Sequence, residues 1–356
     1  MKILRLSTFL DFGGIESKMV NLSSLEDVEN EWVFVALGKG GQSEKKIQAK
    51  GKRTVCLHLN HKIPSLSTIW KLFLFLKKEK PDVLHTSGAE ANFFGFFAGK
   101  LAGVKTIVVE EIGIPNHSSK AKKIFQYIFK KADWVVGESK IVVDNLIQTY
   151  KLNPLKTKVI HNFGIFKSIE TRKDLYKIQE IFKIIMISRL EPVKNIEGVL
   201  NVVKRLKNEG REIRLSIAGK GSIEGELKNL VQNLEIHENV DFLGLISDPY
   251  PHLLEADLYV LNSHSEGFSN SLVEAMYSKT PSLSTSVGAA PEIIKDGVNG
   301  FLVPADNEEA LFLKVKEITQ MSAMQRKQIG EAGHKTIIEN FSLENHVEKL
   351  MEIYKA

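Results

Sequence analysis

Short apolar runs along this chain alternate with stretches in which apolar side chains recur every three or four positions. Residues 3–7, 32–37, 54–57, 82–85, 106–109, 134–136 and 158–160 have the length and composition of buried strands, as do 182–188, 214–218, 240–244 and 258–261. Between them, 17–25, 66–78 and 195–207 carry helical spacing; in the last, Ile196, Val199, Leu200, Val203 and Leu206 form one stripe and Gly210 follows as a stop. From Asn307 onward the pattern stays helical to the end. Strands alternating with helices predict an α/β protein with two doubly wound, Rossmann-like parallel sheets. A polar, Lys-rich stretch at 166–180 reads as the linker between a first domain, 1–165, and a second, 181–339.

Composition narrows this picture only a little. The 356 residues are 43% hydrophobic and 26% charged, the balance of a globular protein with room for two cores. The single cysteine, Cys56, excludes an internal disulfide and any multi-cysteine zinc site, and fits a cytoplasmic setting. No targeting signal is read at the start of the chain, and the apolar patches at 72–76 and 93–98 are too short to span a membrane. Charge is more informative. Of 48 Lys+Arg and 43 Asp+Glu, 25 and 15 fall in residues 1–165, leaving 23 and 28 for the rest. The front half is therefore basic and the back half acidic, which suits an anionic partner for the front or a merely solvated surface.

The richest chemistry lies at 257–274, DLYVLNSHSEGFSNSLVE. An apolar run gives way to a polar loop around Gly267, and a helical pattern resumes near Ser271. Such loops sit at the carboxyl edge of a parallel sheet, where a helix N-terminus favours an anion such as a diphosphate. Glu266 and Glu274 bracket the turn. Ser271 and Glu274 are also spaced as a capping box, so a purely structural role stands beside the binding one.

Glu266, Glu274 and the GFSNSLV string between them resemble the signature of glycosyltransferase family four, retaining nucleotide-sugar-dependent enzymes of the GT-B fold. The resemblance implies two sheets facing a central cleft, the first binding acceptor and the second donor, with a last helix at about 340–356 crossing back onto the first. It implies that Glu266 contacts the donor sugar, that Gly267, Phe268, Ser269 and Asn270 touch sugar and phosphate, and that Glu274 holds the ribose hydroxyls. Arg189 and Lys194, flanking the loop after the strand at 182–188, stand where the family places its phosphate-binding pair; a guanidinium and an ammonium suit a diphosphate leaving group. Gly13 and Gly14 match a family loop that faces the diphosphate. Gly219 opens a short glycine loop, Leu243 falls near the nucleotide base, and Glu292 closes a small-residue loop near the donor.

Elsewhere the chain departs from the family. His85 is kept near the acceptor and reacting centre, either as a catalytic contact or as a structural histidine, but Ser87 and Glu90 stand where relatives carry further histidines. Glu110 and Glu111 replace a loop histidine and either touch acceptor or are solvated. The segment 118–133 is a basic amphipathic helix that either packs on the sheet or lies on an anionic membrane. With no Asp-x-Asp pair, neither a metal nor any other cofactor is expected. The expected partners are a nucleoside diphosphate sugar, a glycan or lipid-linked acceptor of bacterial surface-polysaccharide synthesis and an anionic membrane face reached from the cytoplasm. Nucleic acid is not expected, since no binding motif or aromatic interleaving accompanies the basic half. A sugar-nucleotide epimerase and a non-catalytic sugar-nucleotide-binding protein are the rival readings.

Overall fold

The computed structural model describes residues 1–164, 166 and 181–356, and the chain forms two compact units, Met1–Ile165 with Leu343–Ala356, and Phe166–Ser342. Phe166 apart, the expected linker lies outside the described residues.

The first unit holds strands β1 (Lys2–Ser7), β2 (Glu31–Ala36), β3 (Arg53–Cys56), β4 (Val83–Ser87), β5 (Thr106–Glu111), β6 (Trp134–Gly137) and β7 (Thr157–Val159). They form one parallel sheet in the order β3-β2-β1-β4-β5-β6-β7. Because helices cover both faces, the inner strands are apolar along their length rather than alternating; β2 buries Trp32, Val33, Phe34, Val35 and Ala36. Successive side chains still point to opposite faces. Leu4 and Leu6 meet the layer of helices Leu66–Glu79, Ala89–Ala102, Ser119–Lys131 and Lys140–Tyr150, while Ile3 joins the core under Gly14–Leu22 and Leu343–Lys355.

The second unit holds β8 (Phe182–Ile187), β9 (Ile213–Ala218), β10 (Val240–Gly244), β11 (Leu258–Leu261), β12 (Ser282–Thr285) and β13 (Phe301–Val303), again parallel, in the order β10-β9-β8-β11-β12-β13. Helix Ile196–Asn208 illustrates how sequence sets the elements. Asn195 caps it, its Oδ1 accepting from Gly198 N at 3.3 Å; Ile196, Val199, Leu200, Val203 and Leu206 are all buried, and Gly210 at φ 76° ends it. Each of those side chains contributes roughly 1.5–3 kcal/mol by leaving water. β12, the hydroxyl-rich run SLST, was not anticipated. Among the described residues no helix is long and apolar enough to cross a membrane.

Candidate functional site

In the second unit the strand order reverses direction between β8 and β11, which pair directly through Leu258 with Ile184 and Tyr259 with Ile185. The loops leaving these two strands therefore emerge side by side, the usual place for a ligand on an open parallel sheet. Hydrogen bonds tie them together: His264 N donates to Val193 O at 2.8 Å, and the Asn262 side-chain Nδ2 to Asn195 O at 2.9 Å. Two glycines permit the close approach of neighbouring loops. A Cβ on Gly219, at φ 140°, would stand 1.8 Å from Ser188 O, and one on Gly288, at φ 55°, 2.6 Å from Glu266 O.

This scaffold brings Lys194 and Glu266 together, although 72 positions separate them. Lys194 Nζ donates to Glu266 Oε1, which also accepts from Ser263 Oγ at 2.6 Å. Both side chains are 13% exposed, so the pair is partly shielded yet open to a ligand. Arg189 is exposed on the same loop as Lys194. Ser188 Oγ beside it is buried without a hydrogen-bond partner among the described residues, a donor and acceptor left over at the strand's end.

The second helix start differs from the expectation. Helix Asn270–Tyr277 begins one residue before Ser271, and its cap is Ser269, whose Oγ accepts from Leu272 N at 3.3 Å. Ser271 Oγ instead meets Tyr259 OH at 2.7 Å. Glu274 thus lies in the helix interior, beyond the third position, and the Ser271–Glu274 capping box does not form. Its carboxyl is half-buried; burial, then the charge of Asp248, raise its pKa to about 7. Phe268 is partly buried against the same core, and Gly267 O accepts from Ala289 N at 2.9 Å. That bond brings the loop preceding Glu292 against the loop of Glu266. Leu243 is half-buried at the end of β10, where Gly244 O accepts from Gly219 N at 2.8 Å. Sequence reasoning passed over Ser188, Asn262 and Ser263, since lone hydroxyls and amides carry no spacing signal.

Gly13, Gly14 and His85 belong to the first unit. Gly13, at φ 150°, precedes helix Gly14–Leu22; a Cβ there would meet Glu16 Oε2 at 2.2 Å, while nothing stands within 4 Å of one on Gly14. His85 corrects the expectation of a contact with substrate. It is fully buried mid-strand, its Nδ1 taking Arg5 Nη1 at 2.9 Å and Tyr354 OH at 2.6 Å. Burial and then the Arg5 charge push its pKa down to about 3, so the imidazole is neutral and presents no surface.

Glu110 and Glu111 are buried too, not solvated. Glu110 accepts from Lys18 Nζ at 2.5 Å, Arg5 Nη2 at 3.1 Å and Ser87 Oγ at 2.6 Å, and Lys18 reaches on to Glu138 at 2.9 Å. Two cations and two carboxylates thus share one interior network that Tyr354 joins to the last helix. Among the described residues no three His, Cys, Asp or Glu side chains are grouped to hold a metal ion.

Comparison with known proteins gives two family matches: residues 168–336 match "Glycosyl transferases group 1" and residues 12–163 match "Glycosyltransferase Family 4". A Campylobacter jejuni N-acetylgalactosamine-N,N'-diacetylbacillosaminyl-diphospho-undecaprenol 4-alpha-N-acetylgalactosaminyltransferase is 27% identical over 64% of this chain and 64% of its own length. The match spans about half of two further curated relatives, 46% and 47%, from Bacillus subtilis and Staphylococcus aureus. Among solved structures, a glycosyltransferase from Rickettsia africae superposes with a TM-score of 0.86 at 23% identity, covering 99% of this chain and 97% of that one. Anabaena Alr3699/HepE in complex with UDP gives 0.82 at 20% identity, covering 99% of each chain. At these identities the superpositions establish a GT-B-type fold.

Proposed function

We propose, from the premise that this chain belongs to the family-four glycosyltransferases, that it moves a sugar from a nucleoside diphosphate donor to a glycan or lipid-linked acceptor in bacterial surface-polysaccharide synthesis. The observation that carries this reading is the Lys194–Glu266–Ser263 cluster at the switch point of the second sheet. The Campylobacter relative, named for a diphospho-undecaprenol substrate, supports the lipid-linked acceptor, and the Anabaena protein supports a uridine donor as the first to try.

In this mechanism the anomeric carbon's bond to the β-phosphate oxygen breaks while the acceptor hydroxyl oxygen bonds to the same carbon on the same face. The departing diphosphate takes the acceptor's proton, and its charge is met by Arg189, Lys194 and the start of helix Asn270–Tyr277. Glu266 Oε1 is held by Lys194 and Ser263, and the family resemblance gives this carboxylate a sugar hydroxyl to accept from, leaving the attack on carbon to the acceptor. The product is expected to keep the donor's anomeric configuration, and its formation to persist in EDTA. Proton coupling constants of the purified product, formed with and without chelator, check both. An inverted centre contradicts same-face attack, and conversion of one sugar nucleotide to another without acceptor returns the epimerase reading.

Glu274 adds a pH signature. Only its ionised form accepts both ribose hydroxyls, and burial has raised its pKa to about 7. Donor binding should tighten as pH rises through that value, the dissociation constant falling about tenfold between roughly pH 6 and pH 8. In Glu274→Gln the dependence should vanish and binding stay weak, as read by calorimetric titration with a UDP-sugar.

A further inference from the structure

Helix Leu66–Glu79 is apolar on both sides. Thr68, Leu72 and Leu76 face the core, yet on the opposite side Leu66, Trp70 and Leu74 are 82%, 58% and 51% exposed, four residues apart and so on one stripe. A surface helix normally turns charge outward there. The stripe continues on neighbouring helices of the same layer: Leu101 of Ala89–Ala102, and Ile124 and Tyr127 of Ser119–Lys131, are also exposed. Phe97 and Tyr127 stack across those two helices at 6.5 Å.

Charge identifies what would cover this face. The three helices carry nine lysines and only two glutamates. Both glutamates are engaged at the layer's margins: Glu79 holds Lys2 and Arg53, and Glu90 accepts from Thr8 Oγ1 at 3.3 Å. What remains outward is apolar rings and chains set among ammonium groups, including Lys71, Lys78, Lys122 and Lys123, all exposed. A protein partner needs complementary relief. An anionic bilayer needs only depth for the apolar side chains and phosphates for the lysines, with Trp and Tyr at the headgroup level.

We infer that this helical layer is the surface by which the first unit seats on an anionic membrane, with Leu66, Trp70 and Leu74 entering the acyl boundary. The inference rests on the reading of a lipid-linked acceptor, which such a seat would bring within reach. It also gathers nine of the front half's 25 Lys and Arg on one face, with the helix Leu66–Glu79 rather than Ser119–Lys131 supplying the deepest side chains.

Sedimentation with vesicles of phosphatidylcholine containing about 30 mol% phosphatidylglycerol tests it. The wild-type chain should bind these and not pure phosphatidylcholine, with affinity falling as salt rises. Trp70→Ser with Leu74→Ser should weaken binding about tenfold or more, and Lys122→Glu with Lys123→Glu should weaken it and flatten the salt dependence. Brominated lipid should quench Trp70, since Trp32 is buried and Trp134 is half-buried against the core on the sheet's other face, and Trp70→Phe should abolish that quenching. Binding unaffected by the Trp70 and Leu74 changes, absence of quenching, or a dimer in sedimentation equilibrium that those changes dissolve would each overturn the inference. UDP-sugar titration of the same samples separates the cases: donor binding without vesicle binding leaves the glycosyltransferase reading standing, whereas loss of both removes it.

Discussion

Lys194→Ala should lower turnover about 100-fold or more, with a smaller change in donor affinity. The ammonium lies on the loop that follows β8, held against Glu266, and charge on the departing diphosphate grows most at the transition state. Its removal therefore affects the chemical step more than the ground state. Lys194→Arg should recover part of the rate, because a guanidinium keeps the charge but spreads it over a planar fork. Steady-state kinetics with a UDP-sugar and a saturating acceptor separates the two effects. A Lys194→Ala enzyme with unchanged turnover and raised KM would mean that the side chain binds without stabilising the leaving group.

Removing one member of the first unit's interior network should cost about 3–5 kcal/mol of stability, since the other charges stay buried without their partner. Lys18→Met leaves Glu138 without its cation and Glu110 with Arg5 alone. Adding Glu138→Leu should recover much of the loss. Chemical denaturation followed by circular dichroism gives the midpoints, and titration of the second unit with a UDP-sugar reports whether the donor site is spared.

The same network fixes the direction of pH effects. His85 has its pKa lowered from 6.5 to about 3, so the unfolded chain binds the proton more readily between those values. Its contribution is complete above about pH 6.5 and is lost as pH falls towards 3. Glu110, held well below the usual carboxylate range by Lys18, His85 and Arg5 against the opposing effect of burial, acts in the same direction at lower pH. Glu111 acts oppositely: burial raises its carboxyl to about 8, so stability declines as pH rises from about 4.5 through that value.

The fold was legible because buried parallel strands write themselves as apolar runs. β10 and β11 fall where periodicity placed them, and most other boundaries moved by one or two residues. β12 escaped because Ser282, Ser284 and Thr285 bury hydroxyls bonded to backbone carbonyls, a pattern hydropathy does not register. In the second unit the string around Glu266 pointed to its site, but the pairing with Lys194 arises from strand order, which no local window contains. Ser269 rather than Ser271 caps the helix because both hydroxyls are spaced plausibly and Tyr259, distant in sequence, claims the second. The buried Arg5, His85 and Glu110 were the least legible. Charged side chains on strands read as strand ends or surface loops until their partners from five other segments are in place.

On this reading the second unit should hold a nucleoside diphosphate sugar at the loops after β8 and β11. Calorimetric titration of the full chain with a panel of nucleoside diphosphate sugars at about pH 8, above the raised Glu274 pKa, tests it most directly. Saturable one-site binding of at least one of them is expected, weakened in Glu274→Ala and unchanged in Trp70→Ser. Absence of binding across the panel, or binding indifferent to Glu274, would contradict it.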